Sequence, residues 1–344
     1  MIYLDNAAMT RPLPCALEAY RNAPFGNPSS EHAVGQRARI ALENARYCMA
    51  KTLDCETWEV YFTSTATEAA ALALNSLKES GYSVVCSPLE HHAVSENAPG
   101  MKFSNPRGTE AFAWLLAQNE TGEIFTFGEN YKERMWLCDA TSAAGHIPVS
   151  FKKLGCDYLI ADAIKFGGIP GAAVLIAKQG APLSPLIRGG GQEHGMRSGT
   201  ENLPAICAMT AALEWQIEHM EENTAKLTKM RDFFVSTLSI IDNSFVNTPL
   251  IMPTLPHILN ISFMGVDAHA LALLLSREDV MVSAGAACSN GLNEPSHVIL
   301  AMFGDEARAR SAIRISLSHE NTMQECKIAA EKIKNAVEYL RSLN

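Results

Sequence analysis

No run of about 18 apolar residues occurs in this chain, so the sequence excludes a transmembrane helix. A basic block is missing too: 28 Lys and Arg stand against 37 Asp and Glu, a formal charge of −9. Such an acidic chain is a poor partner for nucleic acid and for anionic membranes, and neither is expected. None of the nine cysteines forms a CxxC pair, and nine in 344 residues is far below the density of a disulfide scaffold. Reduced thiols in a cytoplasmic protein are the natural reading, and no metal site is expected. The opening MIYLDNAAMTRP puts Asp5 where a signal peptide needs an apolar stretch, which argues against secretion. Internal repeats, low-complexity tracts and long polar linkers are also lacking. What is present is 47% apolar residues, the level of a globular protein with a sizeable core, in a length suggesting about two domains.

Residues 34–53 repeat apolar side chains at helical spacing, which predicts an amphipathic helix. The run EVYF before Thr63 reads as a short buried strand, and TSTATEAAALALNSLKES then turns into an Ala- and Leu-rich helix with Ser or Thr as its cap. YSVVCSP, MWLCDA, CDYLIADA and GAAVLIAK read as further apolar strands. Strands alternating with helices at this pitch predict a mainly parallel sheet covered on both faces. A long helix is expected over about 205–240, followed by Pro-broken short strands and a C-terminal amphipathic helix.

Several residues could carry chemistry. In FTSTATEAA a strand ends in small and hydroxylated residues that open a helix, whose N–H groups and positive dipole end suit a phosphate; an ordinary capped helix has the same pattern. Asp139 ends an apolar strand, where ligands of open α/β sheets collect; it can hold a protonated ring nitrogen or cap the next turn. Lys165 follows another apolar strand and precedes a glycine turn. Most lysines are solvated, but one held among small residues can form a Schiff base because burial lowers its pKa. The two together are the pair that pyridoxal 5′-phosphate (PLP) uses. His91 and His92 are adjacent, so at most one faces a common site. Cys288 sits among Ala, Gly, Ser and Asn, a setting for an accessible thiol, whereas Cys48 and Cys207 fit apolar helices. Arg314 lies in an alternating strand pattern and, facing inward, needs an anionic partner such as a bidentate carboxylate.

The segments YLDNAAMT, FGNPSSEHAVGQRAR, FTSTATEAA, SPLEHHAV, QNETG, CDATSAAG, KFGGIPG, GGGQEHGMRSGTEN, NISFMGV, AGAACSN, EPSHVILAM and IRISL, in this order, resemble the cysteine desulfurases that feed iron–sulfur cluster assembly. The resemblance implies the class V aminotransferase variety of the PLP-dependent transferase fold of type I. That means a large domain over 13–245 with a mainly parallel seven-stranded sheet, and a smaller α+β domain from 1–12 plus 246–344 carrying the cysteine loop. It implies PLP on Lys165, Asp139 at the pyridine nitrogen, His91 stacked on the ring and moving protons, and Ala66 and Thr67 at the phosphate. Thr200 would reach the phosphate of a neighbouring subunit in a homodimer, and Asn119, Arg314 and Asn6 would lie on the substrate side, the first two on its carboxylate. The implied reaction converts L-cysteine to L-alanine and leaves a persulfide on Cys288 for a sulfur-acceptor protein. A lyase for selenocysteine or another β-substituted amino acid, and a desulfurase-like scaffold with weakened catalysis, are the alternatives.

The chain departs from the family pattern at the cofactor. Where the family has Ser-x-His-Lys, with serine and histidine on the phosphate, this chain has Asp162-Ala163-Ile164-Lys165, and Ser142 replaces a glutamine at the PLP phenolic oxygen. Two unit charges about 4 Å apart repel by roughly 4 kcal/mol at an effective dielectric near 20, nearly three decades of affinity. Protonation of Asp162, an intervening cation or a rotamer pointing away would relieve this, so PLP is expected to bind weakly. The stretch between EHHAV and QNETG is also short for the family.

Overall fold

The computed structural model describes residues 1–98, 110–127, 134–285 and 294–343. The chain divides into two compact units, one of Arg11–Leu116 with Phe125–Glu218, the other of Met1–Thr10, Ala117–Ile124 and His219–Asn344. The division departs from the expected boundaries in three places: 11–12 belong to the larger unit, while 117–124 and 219–245, with the helix Met220–Leu238, belong to the smaller. The single helix expected over 205–240 is two helices, Leu203–Glu218 and Met220–Leu238, broken at His219, where the chain passes between units.

Strands are numbered along the chain. After β1 (Ile2–Tyr3) of the smaller unit come β2 (Val60–Thr63), β3 (Ser83–Cys86), β4 (Glu110–Leu115), β5 (Trp136–Asp139), β6 (Tyr158–Asp162) and β7 (Ala173–Ala177), all in the larger unit. These six form one sheet in the order β2-β7-β6-β5-β4-β3, parallel except for β7, which is antiparallel to both neighbours. The expected count was seven; six lie among the described residues. β5, β6 and β7 are buried along their whole length, as continuous apolar runs covered by helices on both faces should be. The helix Ala66–Glu79 covers one face through Ala69, Ala70, Leu72, Ala73, Leu74 and Leu77, which pack with Tyr158, Ile160 and Leu175. The small alanines let the helix approach the sheet closely.

The smaller unit has an antiparallel sheet ordered β11-β12-β9-β8, from β8 (Ser244–Val246), β9 (Ile258–Phe263), β11 (Ser283–Ala284) and β12 (Ala312–Ser316). A parallel pair joins β1 to β10 (Val280–Met281), and Asp5 bridges to Ser316, so the N-terminal segment is woven into this unit. Its core sets Leu259, Ile261, Phe263, Ile313 and Ile315 of the sheet against Phe234, Leu271 and Ile333 of three helices. Among the described residues no helix is long and apolar enough to cross a membrane, and all eight described cysteines are free thiols.

Candidate active site

In the larger unit, neighbouring parallel strands deliver Asp139 and Asp162 to the same end of the sheet: β5 ends at Asp139 and β6 at Asp162. Asp139 is 8% exposed, and its Oδ1 accepts from the Thr141 amide at 2.8 Å. Three residues past the strand end, Lys165 closes a single helical turn, Ala163–Lys165. The following backbone is pinned: His146 Nε2 meets the Lys165 carbonyl at 3.0 Å, and the Gln216 side chain donates to the Phe166 carbonyl at 3.1 Å. Burial pushes the His146 ring down to about 4, so it is neutral near pH 7 and donates to that carbonyl. Gly167 then turns the chain at φ +87°, where an added Cβ would meet the Leu13 side chain at 2.7 Å. The backbone on either side of Lys165 is thus held by His146, Gln216 and the glycine turn.

Asp162 does not point away from the phosphate position. It is 6% exposed, its Oδ2 accepts from the Ala66 amide at 2.8 Å, and its Oδ1 accepts from the Ile164 amide at 3.2 Å. Ala66 is the first residue of the helix predicted to hold phosphate, and Thr65 caps that helix by accepting from the Glu68 amide. Burial is the largest influence and leaves the Asp162 carboxyl above the ordinary aspartate range, although the Ala66 and Ile164 amides and the charge of Lys165 favour its ionised form; Asp139 adds to the rise. Thr67 is exposed on the first turn. Ser142 lies in the tight turn after β5, half-buried.

His91 caps a short helix, its Nδ1 accepting from the Ala93 amide at 3.0 Å, which leaves Nε2 to carry the proton of the neutral ring. His92 is its neighbour, ring centroids 6.2 Å apart. Beside them Glu90 is fully buried, accepts from the His91 amide, and is held well above the carboxylate range by burial and by Asp139. The sequence reading missed Glu90 and His146; a carboxylate directly before His91 and a histidine in a turn carry no periodic signal. Thr200 is exposed on a cleft lined also by Thr63, Ser64, Arg197, Glu201 and Asn202, and Arg197 there is paired with Glu68 at 2.7 Å.

In the smaller unit Arg314 is 2% exposed on β12. Its Nη2 meets Asp5 at 2.9 Å and its Nη1 donates to the Asn119 carbonyl at 2.9 Å, while its buried Nε has no hydrogen-bond partner among the described residues. The expected anionic partner is therefore Asp5 on one prong, with donor capacity left for a second anion. Asn6 donates to the Ser316 carbonyl at 3.0 Å and is buried. Glu120, also buried, accepts from the Ser296 hydroxyl at 2.6 Å, a pair 176 positions apart that no local pattern announces. Cys288 lies outside the described residues.

The donor set fits the ring half of PLP. Lys165, just past β6, and the nearly buried Asp139, closing neighbouring β5, lie at the same end of the sheet, and the buried hydroxyl of Thr141, two residues after Asp139, has no partner among the described residues, an open place for a polar ring substituent. The phosphate half is another matter, since the Ala66 amide already holds a carboxylate.

The aminotransferase class-V family model matches residues 2–105 and 105–328. The chain is 32% identical to the cysteine desulfurase IscS of Dictyoglomus turgidum, covering all of this chain and 96% of that one. It is 33% identical to a putative cysteine desulfurase IscS 1 of Bacillus subtilis, covering 98% and 99%. The former alignment runs over 379 positions against 344 residues here, so the relative has internal residues this chain lacks. A solved NifS-like protein, 31% identical, superposes with a TM-score of 0.89 over 98% of this chain and 99% of its own. This chain belongs to the class-V aminotransferase family, on its cysteine desulfurase branch.

Proposed function

We propose that this protein is a PLP-dependent cysteine desulfurase, converting L-cysteine and the Cys288 thiol into L-alanine and a Cys288 persulfide. The atoms balance: the substrate sulfur leaves carbon for the thiolate, and a proton takes its place on the alanine methyl. The observation that carries the reading is that Asp139 and Lys165 follow neighbouring parallel strands to the same end of the sheet, on a chain of this family.

PLP, when bound, supplies an aldehyde for the lysine amine and a ring that takes up the electrons of the substrate Cα–H bond. Lys165 is the amine, presented on a turn that His146 and Gln216 hold in place. Asp139 would hold the ring nitrogen of the bound cofactor and favour its protonated form, while burial and Asp139 itself push the nearby Glu90 carboxyl above the usual range. His91, oriented by its Nδ1 bond from the Ala93 amide, would stack on the cofactor ring and move a proton through Nε2. Arg314 binds the substrate carboxylate with the donors left over from Asp5 and Asn119, and Asn6 supports the strand that carries it. Thr200 belongs to the neighbouring site of a homodimer, and a sulfur-acceptor protein takes the persulfide.

Incubation with L-cysteine and a thiol reductant should give alanine and sulfide in equal amounts. Cys288→Ala should abolish the persulfide seen by mass spectrometry while leaving cofactor attachment at Lys165; Lys165→Ala should abolish both. Sulfide release at the wild-type rate from Cys288→Ala, without added thiol, would remove Cys288 from the mechanism. The second reading, a family member with weak catalysis that serves as a scaffold, draws on the Asp162 carboxylate at the Ala66 amide. No attachment at Lys165 with any aldehyde form of vitamin B6 would favour it.

A further inference from the structure

We propose that Asp162 is a resident anion in the phosphate seat, and that this chain takes unphosphorylated pyridoxal in preference to pyridoxal 5′-phosphate. The inference rests on the reading of Lys165 as the amine that receives the aldehyde, and refines which aldehyde that is.

The seat is defined by the first turn of the helix Ala66–Glu79. The Ala66 amide donates to Asp162 at 2.8 Å and the Glu68 amide to the Thr65 hydroxyl at 3.1 Å, so two of the first three amides are committed to side chains of this chain. Those are the groups a phosphate needs at a helix N-terminus. The carboxylate is built in: its other oxygen caps the turn Ala163–Lys165 through the Ile164 amide, so swinging it out breaks two hydrogen bonds.

Charge points the same way. Asp162 already feels the charges of Asp139 and Lys165, and the nearby Glu68 is matched by Arg197 at 2.7 Å. A phosphate monoester adds about −1.5 to −2 charges. One like-charge pair about 4 Å apart at an effective dielectric near 20 costs roughly three decades of affinity. Pyridoxal replaces that ester with a neutral hydroxymethyl group, and a carboxylate is a strong acceptor for its O–H. Exchanging the family's serine and histidine for Asp162 and Ile164 thus turns a seat that donates to an anion into one that accepts from an alcohol.

The test uses the full chain purified without added vitamer. Pyridoxal and pyridoxal 5′-phosphate are titrated separately, and borohydride is added. The Lys165 amine condenses with the aldehyde and loses one water; hydride then reduces the C=N bond to a stable amine, read as a mass increment on the Lys165 peptide. Each series is normalised to the same reaction on a free lysine, because the pyridoxal hydroxymethyl group closes on its own aldehyde. The wild type should be half-labelled by pyridoxal at a concentration at least about tenfold lower than by the phosphate ester. Asp162→Asn keeps the shape and an acceptor for one amide. It should tighten the ester by about 100-fold and weaken pyridoxal by about threefold or more, because the charged acceptor for its hydroxyl is lost; Asp162→Ser should move both in the same directions. A wild type that takes the ester as well as pyridoxal, or ester affinity unmoved in both variants, overturns the inference and leaves the assignment of Lys165 standing. Labelling by neither vitamer in wild type and variants whose melting curves show them folded overturns both.

Discussion

His146 is the residue whose role separates most cleanly into structure and charge. Its Nε2 lies 3.0 Å from the Lys165 carbonyl, and its pKa is pushed down by burial to about 4 against about 6.5 unfolded. A base held neutral in the fold gives the unfolded chain more bound protons between those values. Stability therefore falls as pH drops through about 6.5 toward 4. His146→Gln keeps a donor that does not titrate. The melting midpoint of the wild type should fall between pH 7 and pH 5 by more than that of His146→Gln, whereas His146→Ala should cost about 1–2 kcal/mol at pH 7 in urea unfolding. Equal pH slopes in wild type and His146→Gln would deny the buried neutral ring. At Arg314 the issue is geometry rather than titration. Lysine retains the charge but loses the fork that serves Asp5, Asn119 and an open Nε. Arg314→Lys should raise the KM for L-cysteine by about tenfold or more with a smaller change in kcat, read from alanine formation; an unchanged KM would take this arginine off the substrate.

Among the elements, continuous apolar runs were legible and half-exposed alternation was not. CDYLIADA and GAAVLIAK announce β6 and β7 because both faces of those strands are buried. β4, EAFAWL, alternates half-buried and buried positions and was passed over inside a segment read as merely short. The break at His219 was invisible for a different reason. Both flanking segments are helix formers with no Pro or Gly between them, so the stretch reads as helical throughout and the change of unit at His219 carries no breaker signal. Turns were legible where glycine is required: KFGGIPG predicts the turn after Lys165, and Gly167 sits there at φ +87° against Leu13. Gly167→Ala must meet both the left-handed backbone and a Leu13 carbon 2.7 Å away. It should destabilise the chain by about 1–3 kcal/mol and lower Lys165 labelling. A variant that melts like wild type and labels equally would show that the turn tolerates rearrangement.

For the whole molecule, the order of the matching segments carried the family, since no single motif among them is specific, while the polarity of the phosphate seat was legible only as a mismatch. The sequence shows a carboxylate where the family has phosphate ligands; the direction of that carboxylate is a tertiary fact, fixed by β6 ending beside the start of the helix Ala66–Glu79. Asp139 and Lys165, the proposed ring partners, both belong to the larger unit, whereas Arg314 belongs to the smaller. A ligand that binds the native state alone adds RT ln(1 + [L]/Kd), about 2.7 kcal/mol at a hundredfold excess over Kd. For a chain of this length that is a rise of about 4 °C in the melting midpoint. Calorimetry with saturating pyridoxal should show this rise in the wild type and lose it in Lys165→Ala, because the stabilisation comes from attachment at that amine. A rise that survives Lys165→Ala would mean that pyridoxal binds elsewhere on the molecule, and the strand-end pair would lose its role.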